Sequence, residues 1–196
     1  MDTSVPGDDS VLEQLLQGNR RFVAGICRHP RQDTDRRNVL TGGQKPRAAI
    51  LACADSRVPP EIIFDQGLGD LFVVRVAGNI INDQILGSLE YAAVHLRVPL
   101  IMVLAHSCCG AVTAVASEGE LEGHMATLVP AIEPAVVRAG ALVGDRVENA
   151  ARENARMTAE QLNVSEPILV PLVRKEKLRI IAAFYDLATG TVEVLS

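Results

Sequence analysis

Four short runs of almost unbroken apolar residues do most to limit what this chain can fold into. They are 47–53 (RAAILAC), 71–76 (LFVVRV), 99–105 (PLIMVLA) and 178–185 (LRIIAAFY). Each has the length of a strand, and none alternates polar with apolar side chains. A strand covered on both faces has no polar side to show, so such runs belong inside a parallel sheet with helices on both faces. Between the second and third runs, the segment 83–96 spaces Ile85, Leu89, Ala92, Ala93 and Leu96 to bury one helical face. Strand, helix, strand in that order predicts a right-handed parallel crossover.

The remaining segments fit around that sheet. A first helix is expected over 10–24, with a stripe of Val11, Leu12, Leu15, Leu16, Phe22 and Val23. Ser10 and Glu13 have the spacing of a capping box at its start. The stretch 28–46 is polar, carries Pro30, Gly42, Gly43 and Pro46, and reads mostly as loop. Helices are expected at 111–118, 147–162 and 166–174, the last weakened by Pro167 and Pro171. The middle of 119–146 leans to helix. Positions 186–190 are turn material, and 191–195 alternate as an edge strand should. No linker or repeat interrupts the chain. The expectation is one α/β domain over 1–196, a single mainly parallel sheet flanked by helices.

Composition removes several classes of function. At 48% apolar and 22% charged residues the chain is globular rather than disordered. Aromatics are 3% and Trp is absent, so the core must be Ala, Val, Leu and Ile. The net charge of −5 argues against a nucleic-acid partner. The strongly apolar run 99–105 is too short to cross a bilayer, which argues against a membrane role. The segment 1–10 is acidic and polar, without a basic flank or apolar signal region, which predicts a cytoplasmic protein. The four Cys then read as thiols rather than disulfides.

Ligands bind beyond the carboxyl ends of parallel strands. Two groups of reactive side chains fall there: Cys53, Asp55 and Arg57 after the first run, His106 and Cys109 after the third. Parallel strands bring both groups to one edge of the sheet. Two thiolates and an imidazole are a donor set that suits Zn²⁺. Asp55 either supplies a fourth ligand or steps back and leaves that position to water. Arg57 lies two residues on, and i and i+2 point the same way on extended backbone, so it can hold Asp55. A water on the ion would then have its pKa lowered towards ~7, giving a nucleophilic hydroxide that Asp55 orients. Taken singly, each Cys is an ordinary small core residue and Asp55–Arg57 an ordinary surface pair. The joint pattern, in two halves far apart in sequence, points to a metal.

At these residues the chain resembles a β-class carbonic anhydrase, over 11–195. The motifs Cys53-Ala54-Asp55-Ser56-Arg57 and His106-Ser107-Cys108-Cys109-Gly110 carry the likeness. The segments at Gly43–Pro46, Phe72–Arg75, Ala77–Asn79, Gly87–Tyr91, Tyr185-Asp186 and Thr189-Gly190 support it. The resemblance implies a zinc enzyme, one Zn²⁺ per chain, that hydrates carbon dioxide to bicarbonate and a proton by zinc-bound hydroxide. It implies Cys53, His106 and Cys109 as ligands, Asp55 as exchangeable fourth ligand, and Arg57 as its partner. It implies that Gln44 donates a hydrogen bond to substrate oxygen, that Phe72 and Tyr91 line an apolar cleft, and that Gly110 leaves room beside the metal. His95, four residues after Tyr91, is the candidate proton shuttle. The resemblance further implies a homodimer or homotetramer with active sites at the dimer interface. The N-terminal helix and loop, 1–46, would pack on the neighbouring subunit, and Gln44, Phe72 and Tyr91 would serve the partner's zinc. The residues agree in one respect, since an amphipathic first helix before a polar loop is free to pack away from its own core. Two other readings stay open: carbonyl sulfide or carbon disulfide as substrate on the same fold, and a non-catalytic zinc or redox protein. A glycine fingerprint for nucleotides is missing after every expected strand.

Overall fold

The structure is a computed structural model, and it describes residues 9–195 except 118 and 120. Five strands form one sheet: β1 (Ala48–Ala52), β2 (Leu71–Arg75), β3 (Leu100–His106), β4 (Arg179–Tyr185) and β5 (Val192–Leu195). Their order is β2-β1-β3-β4-β5. The first four are parallel, and β5 closes one edge antiparallel to β4. Every residue of β1 and β3 is buried, as the unbroken apolar runs require. The sequence alternates between two cores. Ala49, Leu51, Ile101, Val103, Ala182 and Phe184 face one way, and Ala48, Ile50, Leu100, Met102, Leu104 and Ala183 the other.

The helices are α1 (Asp9–Val23), α2 (Thr34–Leu40), α3 (Pro60–Ile63), α4 (Asp83–Val94), α5 (Gly110–Ala116), α6 (Val129–Ala139), α7 (Arg146–Asn163) and α8 (Leu169–Arg174), with 3-10 turns at Ala77–Asn79 and Gly123–Leu128. Helix α4 is the expected crossover, started by the Asn82 side chain on the Ile85 N–H. It buries Leu89, Ala92 and Ala93. The 119–146 stretch supplies the Gly123–Leu128 turn and α6, and Glu118, the expected end of the helix after β3, lies outside the described residues.

The 28–46 segment is mostly loop, as expected, with the short α2 in its middle and the Asp33 side chain as its N-cap. Two expectations need correction. Helix α1 begins at Asp9, so Ser10 does not stand ahead of it as a cap residue would, and Glu13 accepts from Gln17 and Arg20. Nor does α1 stand away from its own core. Leu12 and Leu15 pack under the sheet, and buried Asn19 donates to the carbonyls of Ile63 and Gly190 and accepts from the Val192 N–H. The approach is close because Gly18 faces Phe64, whose carbonyl oxygen would lie 1.8 Å from a Cβ there. Buried Asp65 ties down the segment after α1, accepting from the Arg21 side chain and from the Arg28 and His29 N–H groups. Among the described residues, no helix is long and apolar enough to cross a membrane.

Candidate metal centre

The parallel order β1-β3 puts the carboxyl ends of both strands on one edge of the sheet. Cys53 follows β1 directly, His106 ends β3, and Cys109 caps α5. All three are buried, and their ligand atoms lie within 4.8 Å of one another. Among the described residues they are the one such group of three or more His, Cys, Asp or Glu side chains. The Cys53 and Cys109 sulfurs are 4.0 Å apart. Two thiolates on one tetrahedral Zn²⁺ at ~2.3 Å would lie about 3.8 Å apart, so the pair already has the right spacing.

The imidazole carries the clearest sign of a missing partner. His106 Nδ1 meets the Ser107 carbonyl at 2.8 Å. That contact places the proton on Nδ1 and leaves a lone pair on Nε2. His106 is fully buried, and its Nε2 has no hydrogen-bond partner. A buried polar atom is rarely left so, and a metal beside the two sulfurs would satisfy it. The donor set, the spacing and the orphaned nitrogen all fit Zn²⁺.

Asp55 stands beside this group and is held from behind. Arg57 Nε and Nη2 donate to Asp55 Oδ1 and Oδ2 at 2.9 and 2.7 Å, and the Arg57 N–H adds a third bond. The guanidinium also reaches the Cys108 carbonyl at 3.2 Å, bridging the two sheet-edge segments. Asp55 Oδ2 lies 4.0 Å from His106 Nε2. Hydrogen bonding to Arg57 holds the Asp55 carboxyl well below the usual carboxylate range, against the opposing effect of burial. The two thiols are coupled. A bond from Cys109, helped by His106 and the Gly78 N–H, pulls Cys53 down, and the same bond with burial pushes Cys109 up.

Several supports carried no assigned role at the level of sequence. Arg75, at the end of β2, donates to the carbonyls of Cys53 and Asp55. The Gly78 N–H points at Cys53 Sγ at 3.3 Å, and Asn154 Nδ2 donates to the Gly78 carbonyl at 2.7 Å. Arg75 and Gly78 fall in segments that match the family. Asn154 had no signal beyond being one polar residue among the alanines of α7.

Of the other predicted site residues, Gly110 adjoins Cys109, but Gln44, Phe72, Tyr91 and His95 are not brought to this cluster within one chain. Gln44 is exposed and precedes β1, at the opposite edge of the sheet. Strand β1 alone separates those edges by roughly 16 Å at ~3.3 Å per residue. Phe72 lies at the amino end of β2, paired with Ala49. Helix α4 runs back toward that same edge, so Phe72, Tyr91 and His95 gather there, with ring centroids 6.1 and 5.1 Å apart. His95 is exposed. Tyr91 and His95 line a groove of about 340 Å³ with Gly87, Glu90, Val94 and Ile168. At Gly110 a Cβ would meet no protein atom within 4 Å, so the chain's own packing does not demand glycine there. Cys108 is exposed at φ 52° and stays outside the buried cluster, while Cys109 belongs to it.

Fold and site together define an α/β protein with a buried cysteine–histidine cluster suited to a metal ion at the carboxyl edge of its sheet. A family model described as carbonic anhydrase matches residues 48–192, and the chain belongs to that family. It is 42% identical over 186 residues to a carbonic anhydrase of Mycolicibacterium smegmatis, covering 93% of this chain and 90% of the relative. It is 43% identical over 180 residues to carbonic anhydrase 2 of Mycobacterium tuberculosis, covering 90% and 87%. A tetrameric β-carbonic anhydrase of Sordaria macrospora superposes with a TM-score of 0.76 at 26% identity, over 96% of this chain and 98% of that one. The Coccomyxa β-carbonic anhydrase, solved with acetazolamide, gives 0.74 at 25% identity, over 94% and 86%. Within the family the fold is that of the β class.

Proposed function

We propose that this chain is a zinc-dependent carbonic anhydrase that interconverts carbon dioxide with bicarbonate and a proton. The observation that carries this reading is the buried Cys53–His106–Cys109 group, with a free imidazole nitrogen beside a carboxylate already held by arginine. One Zn²⁺ per chain would be held by the two sulfurs and by His106 Nε2, with Asp55 as exchangeable fourth ligand. When bound, Zn²⁺ supplies the positive charge that lets water lose a proton near neutral pH.

The side chains divide the remaining work. Asp55, fixed by Arg57, accepts the hydrogen of the reacting water and so aims its lone pair at carbon. A closed structural site would have no use for that clamp, which speaks against a non-catalytic zinc or redox protein. Gln44 donates to the substrate oxygen as charge grows there. Phe72 and Tyr91 exclude water from the cleft, the open space at Gly110 leaves room for substrate, and His95 passes the proton to buffer.

Gln44, Phe72 and Tyr91 lie away from their own chain's cluster, and this supports their serving the cluster of a second copy. The working unit is therefore a homodimer or homotetramer with the active sites at the dimer interface. The single domain spans 1–196. The outward face of its 1–46 segment packs on the partner while α1 stays anchored on its own sheet, and the enzyme works in the cytoplasm. Stopped-flow hydration of carbon dioxide by the zinc-loaded protein, followed with a pH indicator, tests the reading. Activity lost in Cys53→Ser is the expected result. Faster turnover of carbonyl sulfide or carbon disulfide in the same instrument would overturn the substrate, and no turnover of any of the three would overturn the activity.

A further inference from the structure

Helix α7 meets the sheet through a face of small side chains: Ala150, Ala151, Ala155, Thr158 and Ala159 are all buried. Asn154 sits among them with 2% of its surface exposed. An amide in so apolar a face is costly unless its hydrogen bonds are made. Its Nδ2 makes one, at 2.7 Å to the carbonyl of Gly78, which is 76 residues away in sequence. On the other side of the same Cα, the Gly78 N–H donates to Cys53 Sγ at 3.3 Å. Gly78 holds φ 71° and ψ 16°, a conformation glycine enters and leaves with little steric penalty. Such a residue keeps its N–H on target only if the peptide beyond it is pinned, and that peptide is held at both ends, by the Asn79 N–H on the Val76 carbonyl at 3.0 Å and by Asn154 on the Gly78 carbonyl.

We propose that Asn154 is a positioning residue for the metal centre, acting through the Gly78 backbone to keep an N–H aimed at the Cys53 sulfur. The proposal rests on the reading of Cys53 as a metal ligand. A hydrogen bond to a coordinating thiolate draws off electron density and fixes the direction of the sulfur, and groups of this kind tune affinity and electronic structure. Arg75 holds the Cys53 carbonyl from β2, so the ligand's backbone and its sulfur are fixed from separate elements. Releasing Asn154 leaves the Arg75 grip in place and the Gly78–Asn79 peptide on its Asn79–Val76 bond alone, so the Gly78 N–H loses the hold from the helix side.

The test replaces zinc with Co²⁺ and reads the sulfur-to-metal charge-transfer absorption, together with Zn²⁺ affinity by competition with a chromophoric chelator. Asn154→Leu keeps the size and removes the donor. The expected result is a band displaced to longer wavelength and a Zn²⁺ dissociation constant raised roughly 10–100-fold. Leu162→Ala, also buried on α7, serves as the control for plain destabilisation of that helix and should leave the band in place. An Asn154→Leu band that coincides with the wild-type band, or a Leu162→Ala band that moves as far, overturns the role of Asn154. If Asn154→Leu does not fold, Asn154→Ala takes its place, removing the donor without adding bulk, with the same two outcomes. A wild-type chain that takes up neither ion overturns the metal reading and this proposal with it. Uptake by wild type with an unmoved variant band overturns this proposal alone.

Discussion

Replacing Gly78 by alanine tests how the loop beneath Cys53 is built. The residue lies in the left-handed region, where a side chain costs about 1–2 kcal/mol. Its new Cβ would lie 2.7 Å from Ile132 Cδ1 and 3.4 Å from Ala111 Cβ. Ile132 is fully buried, so it has to move within a filled core, at a further ~1–3 kcal/mol. The sum is a loss of roughly 2–5 kcal/mol, or about 4–20 °C in melting temperature for a chain of this size. Urea unfolding of metal-free protein at one fixed concentration measures it, with midpoints compared at equal slope. Gly110→Ala is the matched contrast. Nothing lies within 4 Å of its Cβ, and it opens helix α5, so stability should stay within ~0.5 kcal/mol of wild type. The same methyl enters the open space beside the cluster, so hydration should slow. A Gly78→Ala protein as stable as wild type, or a Gly110→Ala protein as unstable as Gly78→Ala, would refute this account of the loop.

Asp55→Ala should keep its zinc and lose ~100-fold or more in hydration rate, the scale of a removed proton acceptor, and an unchanged rate in stopped flow would contradict the role given to it. Burial pushes the Asp65 carboxyl up, but Arg21 and the Arg28 and His29 N–H groups outweigh it and hold it below its ordinary value. Its contribution to stability is therefore complete above the unfolded value of about 4 and is lost as pH falls through the lower folded value. Acid unfolding of Asp65→Asn should show a shallower loss in that window, and an identical acid limb would count against the ion pair. Gln44→Leu and Cys53→Ser should each be inactive alone and regain activity when unfolded and refolded together, because a mixed dimer holds one intact site. Failure to complement would place Gln44 outside the partner's site.

The parts visible in the sequence were those whose cause is local. The strands could be read because burial on both faces leaves an unbroken apolar run, and β5 because its single covered face leaves alternation. Cys53, His106 and Cys109 could be read because they follow such runs directly. Helix α2 buries none of its residues and α3 has only four, so neither leaves a periodic pattern. The order β2-β1-β3-β4-β5 depends on which neighbour each strand chooses, and no single strand records it. Asn154 and Gly78 act through a backbone carbonyl and a backbone N–H, and the chemistry of a peptide group is the same at every position. Gln44, Phe72 and Tyr91 show the opposite case: the family motif marks them, and one chain alone does not bring them to the cluster.

X-ray absorption at the zinc edge of purified protein bears most directly on the central claim. The account predicts one zinc per chain with two sulfur neighbours at about 2.3 Å and an imidazole among the rest, and loss of the ion in Cys53→Ser. A zinc shell of oxygen and nitrogen alone, or a Cys53→Ser protein that holds the ion as firmly as wild type, would contradict it.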